Sequence, residues 1–114
     1  MQFALLIYQD VERIVEGRSQ SELAEIANKY VAIQATPGLS QNIPLGYPKD
    51  ATTVRVHDGK TITSEGTIAG PGATVASCYL FEADDKDRAI EFAAKIPAAR
   101  LGGVIEVRPV GPYW

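Results

Sequence analysis

The stretch Phe3 to Asp10, FALLIYQD, decides the fold, because it is a continuous apolar run of β-forming residues that ends on a carboxylate. Such a run predicts a central strand covered on both faces. A similar segment lies at Ser77 to Asp85, SCYLFEADD, and an amphipathic helix pattern follows each of the two. This strand-helix repeat predicts an α+β chain with a split βαβ arrangement.

Both helices carry start and stop signals. Ser19-Gln20-Ser21-Glu22 reads as a capping box, and Thr36-Pro37-Gly38 ends the helix that it starts. Asp84-Asp85 supplies the N-cap of the second helix, which we expect to end at Pro97. The run Val104 to Val110 is then the last strand.

A β-hairpin is predicted between the two halves. Thr52–His57 and Lys60–Ser64 flank Asp58-Gly59, the dipeptide best suited to a type I′ turn. We interpret residues 38–50 and 67–74 as loops and Val75–Glu82 as a strand. Neither face of the hairpin is strongly apolar, so we expect it at a sheet edge or at the rim of a site. The predicted order is β-α-ββ-β-α-β, a ferredoxin-like βαββαβ-type subunit with an inserted β-hairpin.

Composition limits the function classes. The 114 residues suffice for a single domain, spanning residues 1–114, with one core. A net charge of −3 with scattered Lys and Arg argues against nucleic acid as a partner. Neither a signal peptide nor a membrane span is expected, and the lone Cys78 fits a reducing, cytoplasmic location. The partners expected are a small molecule and a second copy of the chain.

The homodimer is a physical expectation. In a ferredoxin-like subunit both helices cover one face of the sheet and leave the other open. A strand as apolar as Phe3 to Tyr8 would then expose a large apolar surface, which calls for a partner. We therefore expect dimerisation through the open sheet face.

Four segments of the sequence together carry a family resemblance: LLIY in the first strand, TTVRV before an Asp-Gly turn, CYLFEADDKDRAIEFAAKIPAA and GGVIEVRPV. In these segments the chain resembles the YCII-related family, in particular the branch named for an Asp-Gly-Pro-Phe signature. This resemblance implies subunits that pair as a dimeric α/β barrel, and an association of that branch with extracytoplasmic sigma-factor systems. The signature itself falls on Glu65-Gly66-Thr67-Ile68, which keeps an acid and the glycine but lacks the proline and the phenylalanine.

Candidate catalytic residues are Asp10 and Tyr8. Enzyme-like members of the family are thought to pair an Asp after the first strand with a His near the first helix. Asp10 matches the Asp, whereas the His position falls at about Glu22, which the capping box already explains. Without that His, acid/base chemistry near neutral pH is weakened. Asp10 as a turn acid and Tyr8 as a core tyrosine are the structural alternatives.

Candidate ligand-binding residues are Arg55, His57, Glu65 and Arg100. The two arginines offer paired donors to an anion, although surface arginines often bind nothing specific. His57 is the single histidine, so neither a metal site nor a cofactor is expected. The main hypothesis is a dimer that binds a small organic ligand in a sheet-face cleft. The alternatives are a lyase- or isomerase-like enzyme that uses Asp10 and an accessory protein of sigma-factor signalling.

Overall fold

The computed structural model describes residues 1–70 and 72–112. Six strands and three helices follow the chain in an α+β arrangement. The strands are β1 Gln2–Gln9, β2 Leu39–Pro44, β3 Thr52–His57, β4 Lys60–Glu65, β5 Thr74–Glu82 and β6 Val104–Pro109. The helices are α1 Val11–Val15, α2 Gln20–Ile33 and α3 Lys86–Ala93, and short 3-10 turns occupy Pro48–Asp50 and Pro97–Arg100.

Four strands form an antiparallel sheet in the order β2-β5-β1-β6. This order is consistent with a ferredoxin-like fold, because the two central strands each lead into a helical segment. The central pair is in register with Phe3 opposite Phe81 and Leu5 opposite Tyr79. The sequence repeat therefore corresponds to the two middle strands of the sheet.

The core lies between one face of this sheet and the helices. Phe3, Leu5 and Ile7 of β1 are fully buried and belong to one cluster with residues of α2 and α3. The rings of Phe81 and Phe92 stack with their centroids 4.3 Å apart and their planes 9° apart. Alternate residues of β1 are thus fully buried, as expected when helices cover one face of a sheet.

No element within residues 1–70 and 72–112 covers the other face of the sheet. Ala4, Leu6 and Tyr8 of β1 are half-buried there, and Ile43 of β2 and Val104 of β6 are exposed. The expectation that β1 is covered on both faces is therefore met on one face only within a single protomer.

The hairpin has the predicted turn and register. Asp58 and Gly59 have φ angles of 50° and 75°, which a type I′ turn requires. His57 lies opposite Lys60, and Arg55 lies opposite Ile62. The prediction of a sheet-edge position is wrong, however, because β3 and β4 form a two-stranded sheet of their own. We call this hairpin, residues 52–65, the arm.

Two elements were not predicted from the sequence. Residues 38–50 were interpreted as a loop, but Leu39–Pro44 forms the edge strand β2 along β5. An edge strand tolerates Pro44 because one side of its backbone has no hydrogen-bonded neighbour. The short helix α1 was also missed; it begins at Val11, and the side chain of Asp10 caps it.

The helix caps are confirmed, and one apolar stripe needs a correction. Ser19 and Glu22 form the predicted capping box of α2, and Asp85 caps α3. The helical spacing of Leu23, Ile26, Ala27, Tyr30 and Val31 predicts that these residues form the core-facing stripe of α2. Val31 is 66% exposed, however, and Ile33, which is not part of that stripe, is the α2 residue that is buried in the core.

Within the described residues, none of the helices combines the length and the apolar character that a membrane crossing needs. The aromatic residues Tyr113 and Trp114 end the sequence, and their position predicts that they dock on a neighbouring subunit. Both lie outside the described residues.

Candidate functional site

A cleft of about 390 Å³ opens where β1 ends. It lies between the start of α1, the segment before β5 and the turn that leads into β6. Its walls are formed by Gln9, Asp10, Arg13, Ile14, Arg18, Gly72, Ala73, Leu101, Gly102 and Gly103. Three separate segments of the chain, within residues 9–18, 72–73 and 101–103, therefore meet at the end of the central strand.

The helix α1 positions the charged wall of the cleft. Asp10 is its N-cap, and the Asp10 carboxylate accepts a hydrogen bond of 3.3 Å from the backbone N–H of Arg13. After the helix, the half-buried Arg18 guanidinium donates a hydrogen bond of 2.5 Å to the Ile14 carbonyl. Asp10 thus fixes the start of the helix, and Arg18 is held against its last turn.

Positive charge predominates on the cleft wall. Arg13 and Arg18 bring two guanidinium groups, whereas Asp10 is the single carboxylate among the lining residues. No ion pair within 4.0 Å joins Asp10 to either arginine in the part of the chain that the structure describes. Guanidinium groups bind carboxylates and phosphates through paired donors, so this wall is suited to a small anion.

Gln9 connects the cleft to a half-buried tyrosine, Tyr30. Burial raises the pKa of the Tyr30 hydroxyl, and the nearby Ala98 backbone and Gln9 side chain partly offset this effect. The hydroxyl oxygen is buried and makes no hydrogen bond of good geometry to the described residues. Gln9 therefore lies next to both the cleft and the Tyr30 hydroxyl.

A second cavity of about 340 Å³ adjoins the first at Asp10. It is also lined by Val11 and Glu12, by Pro48 and Lys49 just before the arm, and by Gly70 and Gly72 just after it. The arm itself is closed at its base, where the Gly66 N–H donates to the Ala51 carbonyl at 2.7 Å. The chain segments at both ends of the arm therefore line a cavity that adjoins the cleft.

Of the six predicted site residues, the structure places only Asp10 in the cleft. Tyr8 lies on the sheet, opposite Val75 and Val104, and lines neither cavity. Arg100 lies in a separate groove beyond Leu101.

The other three candidates are on the arm. Arg55, His57 and Glu65 are all exposed there, and His57 Nε2 lies 3.4 Å from Asp58 Oδ2. Within one protomer, these residues do not meet Asp10 in any of the described cavities.

Gln9, Arg13 and Arg18 were missed by the sequence reasoning. The position of Arg13 could have been predicted, because the residue three positions after a helix-capping Asp lies on the first turn of the capped helix. Arg18 has no comparable signal, since its position depends on how the chain leaves α1. Among the described residues, no group of three His, Cys, Asp or Glu side chains is arranged to hold a metal ion.

Two comparisons relate the chain to known proteins. A chain from Rhizobium meliloti (strain 1021), described as an uncharacterised protein, is 28% identical over 121 residues, covering 99% of this chain and 94% of its own length. The family model of the YCII-related domain matches residues 1–113. Because that match takes in nearly the whole sequence, the chain belongs to the YCII-related family.

Proposed function

We propose that this protein binds a small organic anion in the cleft at the end of β1 and acts as a homodimer. The observation that carries the binding proposal is the pair Arg13 and Arg18 on a cleft wall with a single carboxylate. That carboxylate, Asp10, is already engaged by the backbone of α1. The cleft therefore offers more positive than negative groups to a bound molecule.

The size of the cleft supports a metabolite-sized ligand. Ligand pockets commonly measure about 300–1,000 Å³, and the cleft is at the small end of that range. Ile14 and Leu101 provide apolar surface beside the two guanidinium groups. We expect a ligand with one or two carboxylate or phosphate groups on a short carbon skeleton.

The test uses isothermal titration calorimetry with succinate and inorganic phosphate as probes. Arg13→Gln removes one guanidinium that makes no side-chain hydrogen bond in the described structure, and it should weaken binding about tenfold. Arg88→Gln, an exposed arginine on α3, is the matched control and should bind as the unaltered protein does. Equal affinities for all three proteins, or no measurable binding of either probe, would refute the proposal.

An enzymatic role is the second candidate, and it depends on Asp10. This residue lines both cavities, so a lyase- or isomerase-like reaction could use its carboxylate. Asp10→Asn separates chemistry from structure, because asparagine caps helices about as well as aspartate does. A variant that keeps its stability and loses turnover would support catalysis, whereas turnover equal to that of the unaltered protein would exclude Asp10 as its acid or base.

The proposed homodimer forms through the open sheet face and pairs the subunits as a dimeric α/β barrel. Leu6, Cys78 and Leu80 on the two central strands make the centre of this face apolar. The edge strands add Ile43 and Val104 to it, together with the charged residues Glu106 and Arg108. Burial of such a surface is the main favourable contribution to association.

The arm also supports self-association. Its Val54 and Val56 are 60% and 69% exposed, although an isolated two-stranded hairpin is at best marginally stable in water. The radius of gyration is 16.1 Å, against about 13 Å for a compact domain of this length. A second copy would offer the surface on which such an arm can pack.

Sedimentation at micromolar concentration tests the interface. Leu80→Glu places a charge at the centre of the open face and should convert the dimer into a monomer. Val31→Glu makes the same chemical change on the exposed side of α2 and should leave the dimer intact. A monomeric unaltered protein, or a Leu80→Glu dimer as tight as the original, would contradict the proposed interface.

Membership of the Asp-Gly-Pro-Phe branch is also part of the proposal. It is supported by the position of Glu65-Gly66, where β4 ends and the chain turns toward the cavities near Asp10. A cytoplasmic location is supported by the single thiol of Cys78, which leaves the chain without an internal disulfide.

A further inference from the structure

A groove of about 250 Å³ lies between α2 and the 3-10 turn Pro97–Arg100, and nothing in the proposed function uses it. Three cationic side chains and three apolar side chains line it: Lys29, Lys95, Arg100, Ile26, Pro97 and Leu101. We infer that this groove is a second binding site, which takes a carboxylate attached to a compact apolar body such as an aromatic ring.

The fold assembles the cationic part from three separate segments. Lys29 is on the third turn of α2, Lys95 follows α3, and Arg100 ends the 3-10 turn. Each is an exposed residue, and none of their side chains forms a hydrogen bond or an ion pair within the described residues. Three like charges at one place are unfavourable without a counter-charge, and an anion would supply it.

The distribution of acids strengthens this inference. The protein carries a net charge of −3, yet no carboxylate lines the groove. Glu25 precedes Lys29 by four residues, and Glu91 precedes Lys95 by four residues, which is a spacing that favours ion pairs on helices. Within the described structure, neither pair of side chains comes within 4.0 Å. The groove is therefore positively charged although the protein as a whole is negatively charged.

The apolar part gives the site its shape preference. Pro97 is buried, and Ile26 and Leu101 are half-buried, so the floor is fixed by core packing and not by mobile side chains. A ring or a branched chain could cover this floor while its carboxylate meets the three cations. A fully hydrated anion such as inorganic phosphate would gain the charge interaction without the apolar contact.

The test compares benzoate with benzamide, its uncharged analogue, by two-dimensional NMR of the amide signals. Benzoate at millimolar concentration should shift the amides of Lys29, Lys95 and Arg100, which line this groove and not the cleft, whereas benzamide should leave them in place. Inorganic phosphate should bind more weakly than benzoate. Equal shifts with benzamide, shifts with phosphate at the same affinity as benzoate, or no shifts with benzoate would overturn the inference.

Variants separate this groove from the cleft at Asp10, which shares Leu101 with it. Lys95→Gln with Arg100→Gln should weaken benzoate about tenfold or more, and the control Lys86→Gln should not. The altered side chains are exposed and outside the core, so equal melting curves are expected. Arg13→Gln should leave the benzoate affinity of the groove unchanged; benzoate shifts that disappear with Arg13→Gln would assign them to the cleft and refute the second site.

Discussion

Gly103 is the residue where the packing of the cleft can be tested most directly. It lies just before β6 and lines the cleft, and its backbone N–H donates to the Ala98 carbonyl at 2.9 Å. A Cβ added here would lie 2.6 Å from the Tyr8 carbonyl oxygen and 2.8 Å from the Ala98 carbonyl oxygen. Both obstacles are backbone atoms, so neither can move aside as the end of a flexible side chain would.

The expected cost of Gly103→Ala follows from two opposing effects. Forcing one extra methyl group into a tightly packed site costs about 1–3 kcal/mol. Replacing glycine restricts the unfolded chain and returns about 0.4–1 kcal/mol. The free energy of unfolding should therefore fall by up to about 2.6 kcal/mol, with a midpoint of about 1.3 kcal/mol, and this midpoint corresponds to a melting temperature lower by about 5 °C in a domain of this size.

Urea unfolding followed by circular dichroism measures this difference. Gly46→Ala is the matched control, because nothing lies within 4 Å of its added Cβ and its φ is not in the left-handed region. The control should be as stable as the unaltered protein or up to about 1 kcal/mol more stable. If Gly103→Ala is no less stable than Gly46→Ala, the Tyr8 and Ala98 backbone can shift at little cost to make room for the methyl group, and the wall of the cleft at Gly103 is not rigid.

Other predictions concern the core and a helix cap. Burial, with a smaller contribution from the nearby Tyr30, raises the pKa of Tyr79 from 10.0 to about 12. The folded state thus favours the neutral phenol, so its contribution to stability is complete below about pH 10 and is lost as the pH rises through about 12. Between these two pH values, the urea midpoint of the unaltered protein should fall more steeply than the midpoint of Tyr79→Phe, which has no hydroxyl to ionise. Phe92→Ala removes the ring stacked on Phe81 and should cost about 3–5 kcal/mol by urea unfolding, and a cost below about 1 kcal/mol would contradict the core assignment. Ser19→Ala removes the capping hydroxyl of α2 and should cost about 1 kcal/mol, whereas Ser19→Asp should cost much less.

The features that the sequence could predict are those encoded by a few neighbouring residues. Ser19 and Glu22 satisfy each other's backbone amides whatever the rest of the chain does. Asp58-Gly59 adopts positive φ angles and thereby sets the register of the whole arm. Both predictions are confirmed because no distant contact has to be known.

The features that it could not predict depend on partners far along the chain. β2 contains Gln41, Asn42 and a proline and lacks a strong strand pattern, but pairing with β5 makes it a strand. Val31 fits the helical period as well as Ile33 does, yet the angle at which α2 meets the sheet decides which of them is buried. For the site, Asp10 could be predicted from its place after β1, whereas the position of Arg18 depends on how the chain leaves α1.

The arrangement of the arm and the cleft has a thermodynamic consequence. Lys49 and Gly70, which flank the two ends of the arm, line the cavity that also contains Asp10. If the arm packs on a second copy, association fixes those ends and therefore also one wall beside the cleft. Binding and association are then linked, and the linkage is reciprocal: a ligand that prefers the fixed wall must tighten the dimer by the same factor by which the dimer tightens ligand binding. Ligand affinity that rises with protein concentration would follow from this geometry, whereas affinity independent of concentration across the monomer-dimer transition would mean that the arm and the cleft act separately.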